Sequence, residues 1–599
     1  MSPDVRQPFS VSHSAALPYC YYDRYAKKIV IRMITDAAPL KIELFYGDPF
    51  DFENGQWRYA TRALAKHYCS KNGESQIVWQ TEFEKPQHSR LKYAFAVSVA
   101  DAQFYFSENG ICDFSPSLLN EAHNHFFFPF IHEVDSPAVP QWVCGTLWYQ
   151  IFPDRFYKDA LQAPWVMESW ESAAPTWDSF SGGTIAGITQ KLDYLHDLGV
   201  SGIYLTPIFA SPSNHKYNTT DYYQIDPNFG NKDDIQTLVL EAHERGMRIM
   251  FDGVFNHAGN THPFWRDVLQ NQESSIYKDY FHIKSFPVSE HYDNYKNMNF
   301  DAFSFDARMP KWNTENPDAR KYLIDAACLW IDECDIDAWR LDVSDELSSD
   351  FVRDFSAAVR KKKHDLYIVG EMWHDASKWL GAGFLDSAMD YPLKNVIIDF
   401  FLKHTIDGSL FTKRLFKTLS RYSPLHNQAS FTLLDSHDTE RILNLAQGDK
   451  ALVRAAFTML FMLPGSPCIF YGTEAGMAGG ADPDCRRPML WSSAKRDAQM
   501  ESFFRGLITF RKKNSIFINN AKIEYESHNL GIDIEVWHFI LAEKRLSFVY
   551  TGKTACPLDT IESAFGTCVF SSTYIEQRQV APHMAIICEK AASMQLEFA

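Results

Sequence analysis

The sequence predicts an α/β chain: a (β/α)8 TIM barrel with an N-terminal β-sandwich, a small inserted domain after the third strand and a C-terminal β domain. Three observations carry this reading. Between about residues 145 and 513, short apolar runs alternate with stretches whose apolar residues recur at helical spacing. Strand–helix alternation implies parallel strands, and eight such units close a barrel. Both ends of the chain instead carry short β-branched and aromatic runs separated by turn residues. Polar and titratable residues gather at the C-terminal ends of the barrel runs, the face on which such barrels build their sites.

Within residues 1–125 the strand signals are KIVIRMIT (28–35), KIELFYGD (41–48), QIVWQTEFE (76–84), LKYAFAVSV (91–99) and AQFYFSE (102–108). Asp36, Gly47, Asn54 and Gly55 punctuate them, as an antiparallel sandwich requires. HEVDSPAVPQW (132–142) is a proline-stiffened linker. The barrel region is expected over 126–513. Its strands are TLWYQIF (146–152), GIYLTPIF (202–209), RIMFDGVFNH (248–257), IDAWRLDV (336–343), LYIVGEMW (366–373), a stretch near 386–391, SFTLLDSHD (430–438) and PCIFYG (467–472).

Ile188, Leu192, Leu195 and Leu198 mark one helical face, closed by Gly199. Ile235, Leu238, Val239 and Ala242 mark another, closed by Gly246. A third helix is expected to start at Asn316-Pro317, with proline in its first turn. Residues 258–314 are too many for a simple connection and predict an inserted domain. Residues 514–599 return to strand character in IEVWHFIL and LSFVYTG.

Composition excludes several classes of function. A net charge of −17 over 599 residues disfavours nucleic acid and anionic membrane as partners, and leaves neutral ligands open. The first residues lack a basic start followed by an apolar run, so no secretory signal is expected. No stretch reaches the roughly 20 apolar residues of a membrane span. The 11 cysteines form no CxxC pair, which suits reduced thiols and a cytoplasmic protein.

The strand ends carry the chemistry. Strand three runs into Asp252, Asn256 and His257, strand four into Arg340 and Asp342, strand five into Glu371 and Trp373, and strand seven into His437 and Asp438. Any one of these acids alone could cap a helix or form a structural pair. Their joint placement on strand ends points to glycosidic bond cleavage. That reaction needs one carboxylic acid to protonate the leaving oxygen. In retaining enzymes a second carboxylate, about 5–5.5 Å away, attacks the anomeric carbon. Arg340 lies two residues from Asp342, so both side chains leave the same face of the strand. Its permanent cation favours an ionised, oriented Asp342. Glu371 must hold its proton at rest.

A family resemblance follows from longer motifs. YQIFPDRF (149–156), TPIFASPSNHKYNTTDYYQIDPNFG (206–230), DGVFNH (252–257), WRLDVSDE (339–346), GEMWHDA (370–376), LLDSHDTERIL (433–443) and YGTEAGMAGGADPDCRRPMLW (471–491) resemble the α-amylase family, glycoside hydrolase family 13. MPKWN (309–313) resembles the MPKLN signature of its neopullulanase, cyclomaltodextrinase and maltogenic amylase group, with Trp312 replacing Leu. The resemblance runs from the N-terminal sandwich to about residue 513.

It implies Asp342 as nucleophile, Glu371 as acid/base and Asp438 as the third acid that stabilises the transition state. It implies that His257, His437, Arg340, His215 and Tyr217 hold the sugar being cleaved. Asp482 and Arg486 would bind sugars on its non-reducing side. Trp373 would stack on the leaving-group side, with a core role as the alternative. Glu346 matches a residue tied in this group to the balance of hydrolysis and transglycosylation. The implied substrates are α-1,4-glucans: cyclodextrins, pullulan and maltodextrins. The N-terminal sandwich resembles a family 34 carbohydrate-binding-like domain, which in relatives makes a homodimer with a narrowed cleft.

One departure stands out. Many relatives carry a calcium loop after YQIFPDRF, whereas this chain reads YKDALQAPWVMESW (157–170), with Thr184 after Gly182-Gly183. Too few hard oxygen ligands remain for calcium, so neither metal nor cofactor is expected, and Asn256 reads as structural. An α-glucosidase or transglycosylase on short malto-oligosaccharides remains the alternative. A non-catalytic scaffold is disfavoured by the intact Asp342, Glu371 and Asp438.

Overall fold

The computed structural model describes residues 9–36, 39, 41–71, 76–159, 170, 174–292, 294–530, 533–573, 575 and 577–591. The chain forms two compact units. One comprises Val139–Lys403 and Gln428–Ser515; the other is assembled from Met1–Ala138, His404–Asn427 and Ile516–Ala599.

The first unit is the barrel. Its strands are β1 (Trp148–Ile151), β2 (Gly202–Leu205), β3 (Arg248–Gly253), β4 (Ala338–Leu341), β5 (Tyr367–Gly370), β6 (Ser387–Ala388), β7 (Phe431–Thr432) and β8 (Ser466–Phe470). They pair in the order β6-β5-β4-β3-β2-β1-β8-β7, all parallel. An isolated parallel bridge, Met389 to Phe431, joins the two ends. Seven of the eight strands fall inside a predicted run, and β8 starts one residue before its own. The runs read as continuously apolar because helices cover one face and the packed barrel interior covers the other.

The helices obey local rules. Asn231 caps the helix Lys232–Glu244 with a full capping box, accepting from the amides of Asp233 and Asp234. Asn316 caps Pro317–Cys334, with proline in the first turn. The face predicted over 188–198 is divided between two short helices, Ile185–Thr189 and Leu192–Leu198. Gly199, at φ 96°, ends the second in the left-handed conformation that glycine adopts without strain. The stretch between β3 and Pro317 folds around its own aromatic cluster of Trp265, Phe281, Phe300 and Trp312. An antiparallel bridge from His257 to Lys311 returns it beside β3.

The second unit is a β-sandwich. A six-stranded sheet contains Lys41–Gly47, Ala60–Ala63, Leu91–Val99, Ala102–Ser107, Gly110–Asp113 and Phe126–Phe128. Facing it is a ten-stranded sheet that runs through both ends of the chain. Ala65–Ser70 pairs in parallel with Lys522–Asn529, with Tyr68 opposite Ile523. Ile29, Ile31, Met33, Ile42, Leu44, Tyr93 and Phe95 fill the core between the sheets. The outer face of the large sheet is also covered. The helix Gly408–Ser420 packs on it, with Phe416 stacked on Tyr68 at 5.6 Å and the Trp537 indole N–H donating to Thr412 at 3.0 Å. No helix among the described residues is long and apolar enough to cross a membrane.

Candidate active site

Strand register explains why the two principal carboxylates meet. Arg340 lies opposite Val369 and Leu341 opposite Gly370 in the parallel β4–β5 pair. The next residue on each strand is Asp342 and Glu371, and the Glu371 amide still donates to the Leu341 carbonyl at 2.9 Å.

Arg340 gathers three carboxylates. Its Nη1 lies 2.6 Å from Asp342 Oδ1 and 2.8 Å from Asp252 Oδ1, and its Nη2 lies 2.9 Å from Glu371 Oε2. All four side chains are buried. A planar, permanently charged fork suits this task, and the point charge of a lysine would not replace it. Glu371 is held at both oxygens. The Val343 amide donates to Oε2 at 3.0 Å and the Trp373 indole N–H donates to Oε1 at 3.0 Å.

Three carboxylates around one cation leave excess negative charge in a water-poor cup. Burial pushes the Asp342 carboxyl well above the usual carboxylate range; the Arg340 guanidinium pulls against this, and Glu371 and Asp252 add to the rise. Burial also raises Asp252 and Asp438, opposed in each by arginine. The cluster therefore retains a proton at pH values where isolated carboxylates are bare. The rise on Asp342 runs against the expectation that Arg340 keeps it ionised, because burial outweighs the guanidinium.

A second network starts from Gln150 on β1. Its Nε2 donates to His437 Nδ1 at 2.7 Å. The other ring nitrogen of His437, Nε2, then carries the proton and faces the Tyr217 hydroxyl at 2.6 Å and Asp438 Oδ2 at 3.1 Å. Tyr217 and Tyr204 both donate to Asp252 Oδ2, at 2.9 and 2.6 Å. The Tyr217 and His437 rings lie parallel within 3°. Burial keeps these imidazoles neutral: His215 and His257 are lowered to about 3 and His437 falls well below its ordinary value.

Arg486 bridges Asp438 at 3.4 Å and Asp482 at 3.0 Å and donates to the His437 carbonyl at 2.8 Å. Burial lifts Asp482 to about 6, opposed by Arg486. Trp373 is 49% exposed and stacks on buried Tyr391 at 3.9 Å and 12°. Glu346 lies further out, its carboxylate 2.8 Å from the Lys311 ammonium. All fourteen residues singled out in the sequence lie in the barrel unit, and one polar and aromatic network ties most of them together. Sequence reasoning missed Gln150, Tyr204, Lys311 and Tyr391. Gln150 and Tyr204 lie inside apolar strand runs, Tyr391 opens the helix Tyr391–Phe401, and Lys311 stands within MPKWN, where nothing in the local sequence gives it a partner.

No group of three or more metal-ligating side chains occurs among the described residues. Most of the altered loop, 160–169, lies outside the described residues; Asp159 lies within them.

Known proteins resemble this chain over most of its length. Residues 150–514 match the family model described as the α-amylase catalytic domain, and residues 9–132 match the α-amylase N-terminal Ig-like domain. The chain is 42% identical over 545 residues to an intracellular maltogenic amylase of Bacillus subtilis (strain 168), covering 91% of this chain and 90% of that one. It is 42% identical over 505 residues to a cyclomaltodextrinase of Geobacillus thermopakistaniensis (strain MAS1), covering 84% and 83%. A solved cyclomaltodextrinase structure superposes with a TM-score of 0.84 at 33% identity, covering 97% of this chain and 98% of that one.

Proposed function

The chain belongs to the α-amylase family, and from that premise we propose that Asp342, Glu371 and Asp438 carry out retaining hydrolysis of α-1,4-glucosidic bonds. The enzyme is an α-glucan hydrolase of the maltogenic amylase, cyclomaltodextrinase and neopullulanase type. The observation that carries the assignment of roles is the single Arg340 guanidinium shared by Asp342, Asp252 and Glu371.

Asp342 attacks the anomeric carbon while Glu371 gives its proton to the departing glycosidic oxygen, and a glycosyl ester forms on Asp342. Glu371, now a carboxylate, takes a proton from water, which opens the ester and restores the α anomer. Asp438 stabilises the positive charge that develops on the sugar. His215, Tyr217, His257, Arg340 and His437 hold the sugar being cleaved. Asp482 and Arg486 bind towards its non-reducing side. Trp373 stacks on the leaving group, and its half-exposed ring supports that role over a core one. Glu346 governs whether water or another sugar opens the ester, so the enzyme also transfers glycosyl groups.

Cyclodextrins, pullulan and maltodextrins are the substrates, in keeping with the names of the relatives. We read the chain as a sandwich over 1–125, a catalytic region over 126–513 with 258–314 inserted, and a C-terminal domain over 514–599. The sandwich joins two copies into a homodimer. A cytoplasmic site of action accords with the relative named intracellular. The chemistry above needs no cofactor. Chromatography of the products from β-cyclodextrin, pullulan and soluble starch, with relative rates, tests the reading. Absence of hydrolysis on all three would overturn it.

A further inference from the structure

We propose that Lys311 is a positioning residue that sets the tautomer of His257 and anchors Glu346, so that one ammonium couples the sugar-holding imidazole to the acceptor-side carboxylate. The functional labels of His257 and Glu346 rest on the reading above; the geometry of the relay does not.

Lys311 lies where the inserted segment rejoins the barrel, bridged to His257, and the next amide, Trp312 N–H, donates to the Asn256 carbonyl at 3.0 Å. Its side chain is only 18% exposed. A lysine ammonium has three protons and no lone pair. All three are used: on Asn256 Oδ1, on Glu346 Oε2 at 2.8 Å and on the Glu346 carbonyl at 3.3 Å.

This saturation gives the relay a direction. Because the ammonium can only donate, Asn256 must turn its oxygen towards Lys311. Its Nδ2 then faces His257 Nδ1 at 3.3 Å and donates to it. With Nδ1 accepting, the single proton of the neutral ring sits on Nε2, which donates to the Tyr217 carbonyl at 3.1 Å. A carbonyl can only accept, so both ends of the relay demand the same arrangement. Phe303 stacks on the ring at 4.9 Å and holds its plane. Burial keeps the imidazole neutral.

Without Lys311 the Asn256 amide is free to rotate, and His257 Nδ1 loses its fixed donor. The alternative tautomer would bring a lone pair against the Tyr217 carbonyl. Glu346 would at the same time lose its cation and the contact that fixes its loop to β3. Two separate effects follow from one side chain: one passes through His257, and the other passes through Glu346 alone.

The experiment compares native enzyme, K311M, K311R, H257A and K311M/H257A. It measures kcat/KM on the α-glucan that the native enzyme cleaves fastest, the share of product transferred to added glucose, and Tm. Loss of a charge-assisted hydrogen bond predicts a fall of about 10- to 100-fold in kcat/KM for K311M, with most of it recovered in K311R. In the H257A background the same substitution should change kcat/KM by less than about 2-fold. The transfer share should shift in K311M and stay shifted in K311M/H257A. Equal losses in both backgrounds, or native-like kcat/KM in K311M, would overturn the relay; an unchanged transfer share would overturn its Glu346 arm.

Should K311M fail to fold, N256D carries the test. It keeps an oxygen for Lys311 but sets an oxygen against His257 Nδ1, so native-like kcat/KM in folded N256D would also overturn the proposal. Nitrogen-15 histidine spectra report the tautomer without any activity. The Nε2–H form is expected for His257 in the native protein, with Nδ1–H appearing in K311M. A native Nδ1–H form would sink the relay even if the enzyme hydrolyses glucans. A native Nε2–H form in a protein without hydrolysis would instead place the failure in the functional reading.

Discussion

Arg340 and Asp342, two residues apart at the end of one strand, are joined by a 2.6 Å ion pair inside the barrel. Alternation along the strand puts both side chains on one face. The same guanidinium binds Asp252 from β3 and Glu371 from the end of β5, so three strands converge on one cation.

Asp342→Asn should lower kcat by at least about 1,000-fold and leave the fold intact, because a carboxamide cannot form the glycosyl ester. Circular dichroism checks the fold and initial rates check the loss. Fresh product from the native enzyme should be the α anomer by proton NMR; a β product would mean inversion and a different role for Asp342.

Trp373→Phe keeps a ring to stack on Tyr391 and deletes only the N–H that holds Glu371 Oε1. The loss should fall on kcat, by about 10-fold, for one hydrogen bond to the acid/base. The pH dependence of kcat/KM should change shape as well, since the acid/base loses a donor. A change in KM alone, with an unaltered pH profile, would reduce Trp373 to a sugar-stacking residue.

Deleting residues 1–125 should give insoluble protein. It removes Ala65–Ser70 and so strips Lys522–Asn529 of a strand neighbour, leaving an open sheet edge. It also removes Tyr68 from Phe416 on the helix Gly408–Ser420. Recovery of a soluble, well-folded remainder would contradict the continuity of this sheet. Light scattering of the intact protein should give twice the mass of one chain.

Acid should destabilise the barrel below pH 6.5. Burial lowers His257 and His262 to about 3 and holds His437 well below its ordinary value. A histidine whose folded pKa is depressed leaves the unfolded chain binding more protons between pH 6.5 and 3, so stability is complete above 6.5 and declines as pH falls. Each such group should remove about 1.4 kcal/mol by pH 5.5. Calorimetric Tm against pH should fall through that window, and His262→Asn should shallow the slope. Buried carboxyls raised in the fold, Asp342 and Asp482 among them, pull the other way, so the test is the difference between the two proteins: a slope that His262→Asn leaves unchanged would contradict the neutral burial of that ring.

Chelation should leave the enzyme unchanged. The stretch 157–170 offers few hard oxygen side chains, and Asn256 Oδ1 accepts from Lys311. Activity and Tm in EDTA should match the untreated protein. A fall of several degrees, reversed by calcium, would reveal a site.

The sequence by itself determined the kind of most barrel elements and which polar residues stand at the strand ends. The β-branched run of KIVIRMIT, the apolar run of GIYL and the helical spacing of Ile235, Leu238, Val239 and Ala242 are local signals, and each reports its own backbone state. The placement of Asp342, Glu371 and Asp438 at strand ends was legible because strand order in a closed barrel converts positions on separate strands into one cup. Tertiary structure alone decided the rest. Tyr68 meets Ile523 across most of the chain, and a helix from between β6 and β7 covers the sandwich sheet. Such pairings depend on which distant edge a strand finds, and no neighbour in sequence records that choice. The same holds for Lys311, Asn256 and His257. Their donors and acceptors acquire a direction only when two distant segments, the end of β3 and the return of the inserted stretch, come within hydrogen-bonding distance.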